Sequence, residues 1–329
     1  MRYQPHVRPD TATVVAFLLI SVFGGMNSIA VKVAVHDLAP FWSAALRFLV
    51  AGGLLAAFVV ATGRRFPRGR SVRGAVGYGA VAFAGSYALL HLALRDANAA
   101  TAAIFLALVP LETFGLAILQ RQERYRGGGI VGGVMALAGV ALIVSVRVEA
   151  GVPATAFALL IGATLFIAQG AVLLKRIPRA DPFGTNAVAM LTGGGLLLGV
   201  SALAGEPWTA PGSEAAWLAM AHLVFLGSIG LFGLYAFAIG RWTASGVSHV
   251  NLLMPVVGVP LAAILLGEQV SAQVVVGGAI AIVGTYLGAF AAYRPQRSTA
   301  ISSPECLAID DCPVVLPTPA AARQPAGST

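Results

Sequence analysis

The chain has 329 residues, of which 58% are hydrophobic and 10% charged, with a formal net charge of +8. Soluble domains carry about 25% charged residues, so the composition excludes an ordinary globular enzyme and points to a protein solvated by lipid. The excess of positive charge does not read as a nucleic-acid surface, because the arginines lie in short segments between long apolar runs rather than on a basic stripe with interleaved aromatics.

A bilayer-spanning helix needs about 20 apolar residues. After Arg2 and Arg8, the first apolar run extends from Thr13 to Val35. It is too long for a secretory h-region and reads as a retained helix. Ten spans are predicted, at 13–35, 40–62, 72–94, 97–120, 127–147, 153–175, 182–204, 214–239, 243–266 and 272–293. The expected class is an all-α membrane protein. Residues 1–12 form a short leading segment. Residues 294–329 are rich in Pro, Ala and Ser without an apolar period and read as a disordered tail. Cys306 and Cys312 lie in that tail and supply neither a disulfide framework nor metal-ligand spacing. No metal or other cofactor is expected.

Cations sort by side. With the N-terminus in the cytoplasm, 17 Lys and Arg fall on cytoplasmic ends and loops. Lys32, Arg95 and Arg147 fall opposite, and Arg47 lies inside a span. This predicts a multi-pass protein of the inner (plasma) membrane with both termini cytoplasmic.

The chain also repeats. Shifted by 145 residues, 97–145 matches 242–290 with 12 identities in 49 positions. Pro110 meets Pro255, Glu123 meets Glu268, and Gly132, Gly133 and Gly139 meet Gly277, Gly278 and Gly284. Each unit, 13–147 and 153–293, has five spans. An odd number inverts the second unit in the membrane, giving two inverted five-helix repeats, an arrangement transporters use.

Several residues carry these patterns further: Gly24–Lys32, Pro40–Phe48, Ala99–Pro110 with Glu123, Ala163–Lys175, and Ser245–Pro255 followed by Leu266-Gly267-Glu268. On these the chain resembles EamA-type permeases of the drug/metabolite transporter superfamily across 13–293. The resemblance implies a ten-helix basket, alternating access and movement of a small metabolite, often export. Two departures stand out. Gln122-Glu123 replaces the usual Gly-Glu, and Glu112 is an acid where the family pattern is apolar.

Glu112 is the one Asp or Glu deep within a predicted span. A charge at a helix centre costs about 2.5–3.5 kcal/mol on insertion scales, so it should face a cavity, pair or carry a proton. Asn98, Thr101, Phe105 and Glu112 share one face within about 60°. The stripe reads either as a lining of the substrate path or as interhelical hydrogen bonding. His249, with Ser245, Ser248 and Asn251 nearby, sits at a similar depth to Glu112, roughly 12–14 Å inside the cytoplasmic boundary at 1.5 Å per residue. A Glu–His proton relay is one reading, and a packed polar residue is the other. Arg47 reads as a partner for a substrate carboxylate, as a snorkelling cation or as a fixed internal pair. Asn27, Tyr87, Gln169 and Tyr235 are further mid-membrane polar groups, with Asn27 and Gln169 near equivalent places in the repeats. Pro110 and Pro255 are expected to bend helices that line the path.

Gly127-x-Gly129-x-x-Gly132 matches a dinucleotide fingerprint literally, but it opens a membrane helix rather than following a strand. Glycines four apart, among them Gly195 with Gly199 and Gly284 with Gly288, instead suit close helix packing in lipid. No GxxxxGK[ST], HExxH or GxSxG motif occurs, so neither an ATP site nor an intramembrane enzyme is expected. The expectation is a secondary transporter of a small polar metabolite. A receptor-like or assembly protein without transport is the alternative. No feature of the sequence sets an oligomeric state.

Overall fold

The computed structural model describes residues 9–97, 99–125, 127–144, 153–177, 181–266 and 272–291. Asn98, Glu268, the leading residues 1–8 and the tail from 292, with Cys306 and Cys312, lie outside the described residues.

Ten helical spans follow in chain order: α1 Thr11–Asp37, α2 Pro40–Ala61, α3 Arg70–Ala93, α4 Ala99–Leu106 and Val109–Leu119, and α5 Gly127–Val144. They continue as α6 Ala154–Arg176, α7 Pro182–Leu203, α8 Glu214–Arg241, α9 Ala244–Ser248 and Val250–Leu266, and α10 Ala272–Thr285 with Tyr286–Ala291. Eight of these are long and apolar enough to cross a bilayer, and α5 and α10 are shorter apolar helices. Large apolar side chains such as Leu18, Val60, Leu119, Leu203 and Leu218 point outward, as lipid rather than water requires.

Polar residues at the loops start the helices. The Asp10 carboxylate accepts from Thr13 N at 2.9 Å, and the Asp181 carboxylate from Phe183 N at 2.9 Å and Gly184 N at 3.2 Å. Thr243 Oγ1 accepts from Gly246 N at 3.0 Å. Each satisfies first-turn donors that have no helical partner. Pro40 and Pro182 occupy first-turn positions, where no N–H is needed.

The two halves pack as inverted copies. α2 crosses its own counterpart α7, and α5 crosses its counterpart α10. A methyl group at Gly52 would stand 3.0 Å from Leu191 N, and one at Gly194 would stand 3.0 Å from Leu49 N. A methyl at Gly139 would stand 2.6 Å from Gly277 O, and one at Gly277 would stand 2.6 Å from Gly139 O. In both crossings the residue number rises on one helix as it falls on the other, so the helices are antiparallel. A two-fold axis along the membrane normal would relate parallel helices. Antiparallel self-pairing requires an axis in the membrane plane. The remaining pairings obey the same exchange: α1 packs on α8 and α9, as α6 packs on α3 and α4. Gly133 faces Leu111 of α4 as Gly278 faces Val256 of α9, each pair 145 residues from the other.

Spacing alone did not identify every packing glycine. Gly193 and Gly194 meet neighbouring helices, whereas Gly195 and Gly199 have nothing within 4 Å. Two other departures bear on the site. α3 and α8 each contain a π-helical turn, Gly79–Gly85 and Phe225–Gly230, at equivalent places in the repeats. And α4 and α9 are each interrupted upstream of their prolines. In α4 the chain turns tightly at Ala107 and Leu108, with Leu108 N on Phe105 O at 2.8 Å, and Pro110 sits in the first turn of the next segment. In α9 the break falls at His249, with Leu252 N on His249 O at 3.1 Å, and Pro255 and Pro260 lie within the following helix. A proline cannot donate to the fourth carbonyl before it; for Pro110 that is the carbonyl of Leu106, beside the tight turn, whereas for Pro255 it is that of Asn251, inside the helix that follows the break at His249.

Candidate functional site

The polar groups within the spans collect in three places. The first lies along α4 and α6. Phe105 packs on Phe157 with ring centroids 5.5 Å apart, and one further heptad along both helices Glu112 meets Thr164. The stripe that carries Glu112 therefore faces α6. Glu112 is half-buried. Its Oε1 accepts from Thr164 Oγ1 at 2.9 Å, and its buried Oε2 has no hydrogen-bond partner among the described residues. Thr164 Oγ1 also lies 3.0 Å from Ile161 O. A hydroxyl has one proton, so it donates to Glu112 or to Ile161, not to both. With Glu112 ionised the proton points to the carboxylate. With Glu112 protonated the acid can donate to Thr164, and Thr164 to the backbone. The position 145 residues on is Val257, so this group has no counterpart in the second repeat.

The second place is where α1 and α2 meet the π-helical turn of α8. Arg47 is 2% exposed. Its Nε donates to Ser228 Oγ at 3.1 Å and its Nη2 to Gly227 O at 3.1 Å. Asn27 Nδ2 donates to the same Gly227 carbonyl at 3.4 Å. The guanidinium carbon lies 4.7 Å from the Phe48 ring centroid and 5.5 Å from that of Tyr87. The structure thus brings Asn27 and Arg47, from two helices of the first repeat, onto one turn of the second, with Tyr87 of a third helix against the guanidinium.

The third place is the end of the bundle that carries the arginine-rich loops. Glu123, on the turn between α4 and α5, accepts from Ser245 N at 3.0 Å and from Ser245 Oγ. Gln122 Nε2 donates to Val172 O at 3.0 Å, and Arg176 Nη2 to Gln120 O at 2.9 Å. Gln120 Nε2 donates to Gln169 Oε1 at 2.6 Å. Lys175 Nζ donates to Ile239 O at 2.7 Å and Trp242 O at 2.6 Å. The first four of these interactions tie α4 or its turn to α6 and α9, so this end is closed across the repeats. At the opposite end, the Glu206 carboxylate caps α2 through Phe41 N at 3.2 Å and Trp42 N at 2.8 Å, and Trp42 stacks on Trp208 with centroids 5.7 Å apart.

The other sequence candidates fall as follows. His249 is buried at the α9 break, its Nδ1 2.7 Å from Ser245 O and its Nε2 against Gly288 of α10. Glu112 thus meets α6 through Thr164, and His249 meets α10 at Gly288. Asn251 Nδ2 donates to Ser248 O at 2.8 Å. Thr101 is buried, and Tyr235 lies in the main apolar core. Gln169 is held by Gln120. Thr164, Ser228 and Gly227 completed these groups without being foreseen, and Ser245, read beside His249, also holds Glu123. Thr164 and Ser228 had a signal, each being a buried hydroxyl in an otherwise apolar span. Among the described residues no cluster of three or more His, Cys, Asp or Glu is arranged to hold a metal ion.

This chain is similar to a "Probable amino-acid metabolite efflux pump" of Salmonella typhimurium strain LT2, at 26% identity over 87% of this chain and 97% of that protein. It is similar to the "Uncharacterized inner membrane transporter YedA" of Escherichia coli strain K12, at 30% identity over 78% of this chain and 83% of that protein. A solved crystal structure shares the fold with a TM-score of 0.75 at 18% identity, over 86% of this chain and 98% of that chain. The model of the EamA-like transporter family matches residues 11–145 and 154–289. With both five-helix halves matched, the chain belongs to the EamA-like transporter family, as a multi-pass membrane transporter and not an enzyme.

Proposed function

We propose that the protein exports a small polar metabolite of the amino-acid type across the inner membrane by alternating access, and that proton movement at Glu112 drives it. The observation that carries the coupling is the Glu112–Thr164 contact. A carboxyl set within a span has one oxygen on a hydroxyl with two available acceptors and the other oxygen without a partner. Gaining or losing a proton there reverses the hydrogen bond between α4 and α6, and so couples protonation to the packing of one repeat against the other. A change in local charge that biases two arrangements is what a gradient-driven cycle needs.

The polar ties at the arginine-rich end support alternating access, since they join the two repeats at one end and must part when that end opens. The 17 cations assigned to that side support an orientation with both termini cytoplasmic. The amino-acid-type solute is supported by the name of the Salmonella relative. The test is efflux of a panel of labelled amino acids from proteoliposomes, with and without an imposed proton gradient. The reading expects at least one solute whose efflux accelerates when the gradient is applied and collapses with an ionophore. Equal rates under both conditions count against proton coupling.

A further inference from the structure

The two-fold exchange that organises the helices is broken at one crossing. Aligning Pro40 with Pro182 sets Ala189 in the place of Arg47, aligning Lys32 with Lys175 sets Gly170 in the place of Asn27, and the 145-residue shift sets Ala82 in the place of Gly227. Gly170 packs directly on Ala82, and Ala189 is fully buried against Gly79. One crossing is therefore closed by Ala189, Gly170 and Ala82, with Phe83 at the place of Ser228, while its equivalent holds a guanidinium, a carboxamide and a hydroxyl. The other half closes this crossing with apolar residues alone at these four places.

The Arg47 charge also lacks a counter-ion among the described residues. Among the described residues, no carboxylate oxygen lies within 4.0 Å of it. Two neutral acceptors and two aromatic faces hold it in place. A buried cation without a paired anion is costly in a protein interior and more so at membrane depth. The forked guanidinium is shaped for a carboxylate. Beside it, Asn27 Oδ1 is buried without a hydrogen-bond partner among the described residues, although its Nδ2 shares the Gly227 carbonyl with Arg47. The crossing therefore offers a cationic fork and, close by, a lone acceptor suited to an ammonium group.

We infer that Arg47 and Asn27 form the recognition subsite for an α-amino carboxylate, Arg47 holding the carboxylate and Asn27 Oδ1 the ammonium group. The subsite is closed in this structure, since Oδ1 rests against Gly227. A solute enters when α8 shifts at its π-helical turn, the irregular segment against which both side chains lie. The inference deepens the transport reading above and rests on it.

Purified protein is tested by thermal unfolding with two probes: a millimolar mixture of the twenty L-amino acids, and the matching mixture of their α-amides. The amino acids are expected to raise the Tm of the wild type and the amides to leave it unchanged. Arg47→Met removes an unpaired charge and orphans no partner, because Asn27 still donates to the Gly227 carbonyl and Ser228 Oγ still donates to Leu223 O. Its own Tm is therefore expected to be no lower than that of the wild type, while its amino-acid shift disappears. A shift from the amides equal to that from the acids, no shift from the acids, or a shift retained in Arg47→Met overturns the subsite. So does a large fall in Tm for Arg47→Met, which marks the guanidinium as structural. Efflux from proteoliposomes separates the two levels. Wild-type flux with the same shift in Arg47→Met defeats the subsite alone, and an Arg47-dependent shift without any flux defeats the transport reading alone.

Discussion

Gly139 of α5 lies so close to Gly277 of α10 that a methyl group on either would stand 2.6 Å from the carbonyl oxygen of the other. Side-chain rearrangement cannot relieve contact with backbone. Gly139→Val is therefore expected to cost about 1–3 kcal/mol through overpacking and to lower the yield of monodisperse protein. Gly195→Ala meets nothing within 4 Å and is expected to match the wild type. Size-exclusion profiles and Tm of the two variants check the contrast.

The Glu123–Ser245 contact is expected to stabilise the closed arginine-rich end. A hydrogen bond to a charged group contributes about 1.5–3 kcal/mol, enough to shift a two-state equilibrium by tenfold or more. Glu123→Ala should then expose the path at this end. In a background with Cys306 and Cys312 replaced, a cysteine at 251 is expected to react faster with an impermeant thiol reagent applied from the cytoplasmic face. Rates unchanged by Glu123→Ala would show that the contact does not govern opening.

The orientation is checked in the same background. A cysteine at Arg70 is expected to be protected from an impermeant reagent added outside intact cells, and one at Trp208 is expected to be labelled. Labelling at 70 from outside would reverse the assignment of sides.

Much of the architecture was legible in the sequence. The spans depend on composition alone, and the starts of α2, α7 and α8 coincide with the residues predicted. The inverted relation was carried by Pro110, Glu123 and the glycines 145 residues from their partners. The site was less legible. Glu112 and Arg47 announced themselves as charges in apolar spans, but their partners did not. Thr164 lies 52 residues from Glu112, and Ser228 lies 181 from Arg47. Such contacts arise from how helices cross, which periodicity along one helix does not encode. The prolines marked irregular helices but not where they break: the α4 break lies at Ala107 and Leu108 and the α9 break at His249, both upstream of the proline. The residue spacing puts Glu112 and His249 at a similar depth, yet depth fixes one coordinate and leaves the direction around the bundle open.

Thr164→Val tests the hydroxyl beside Glu112. The change keeps shape while removing the donor that ionised Glu112 uses at 2.9 Å. Losing a hydrogen bond to the charged form disfavours that form. The pH profile of efflux is therefore expected to move to higher pH, by up to about one unit if the bond contributes about 1.4 kcal/mol. An unchanged profile would mean that Thr164 does not sense the protonation of Glu112.

Glu112→Gln in proteoliposomes tests the coupling most directly. Glutamine keeps the size and an acceptor for Thr164 but cannot gain or lose a proton. The account predicts that the variant is inserted, binds solute and exchanges labelled for unlabelled solute at close to the wild-type rate. It also predicts that the acceleration of efflux by an imposed proton gradient is lost, together with the pH dependence. Gradient-driven efflux at the wild-type level in Glu112→Gln would contradict it, and would leave Glu112 as a hydrogen-bonding link between α4 and α6.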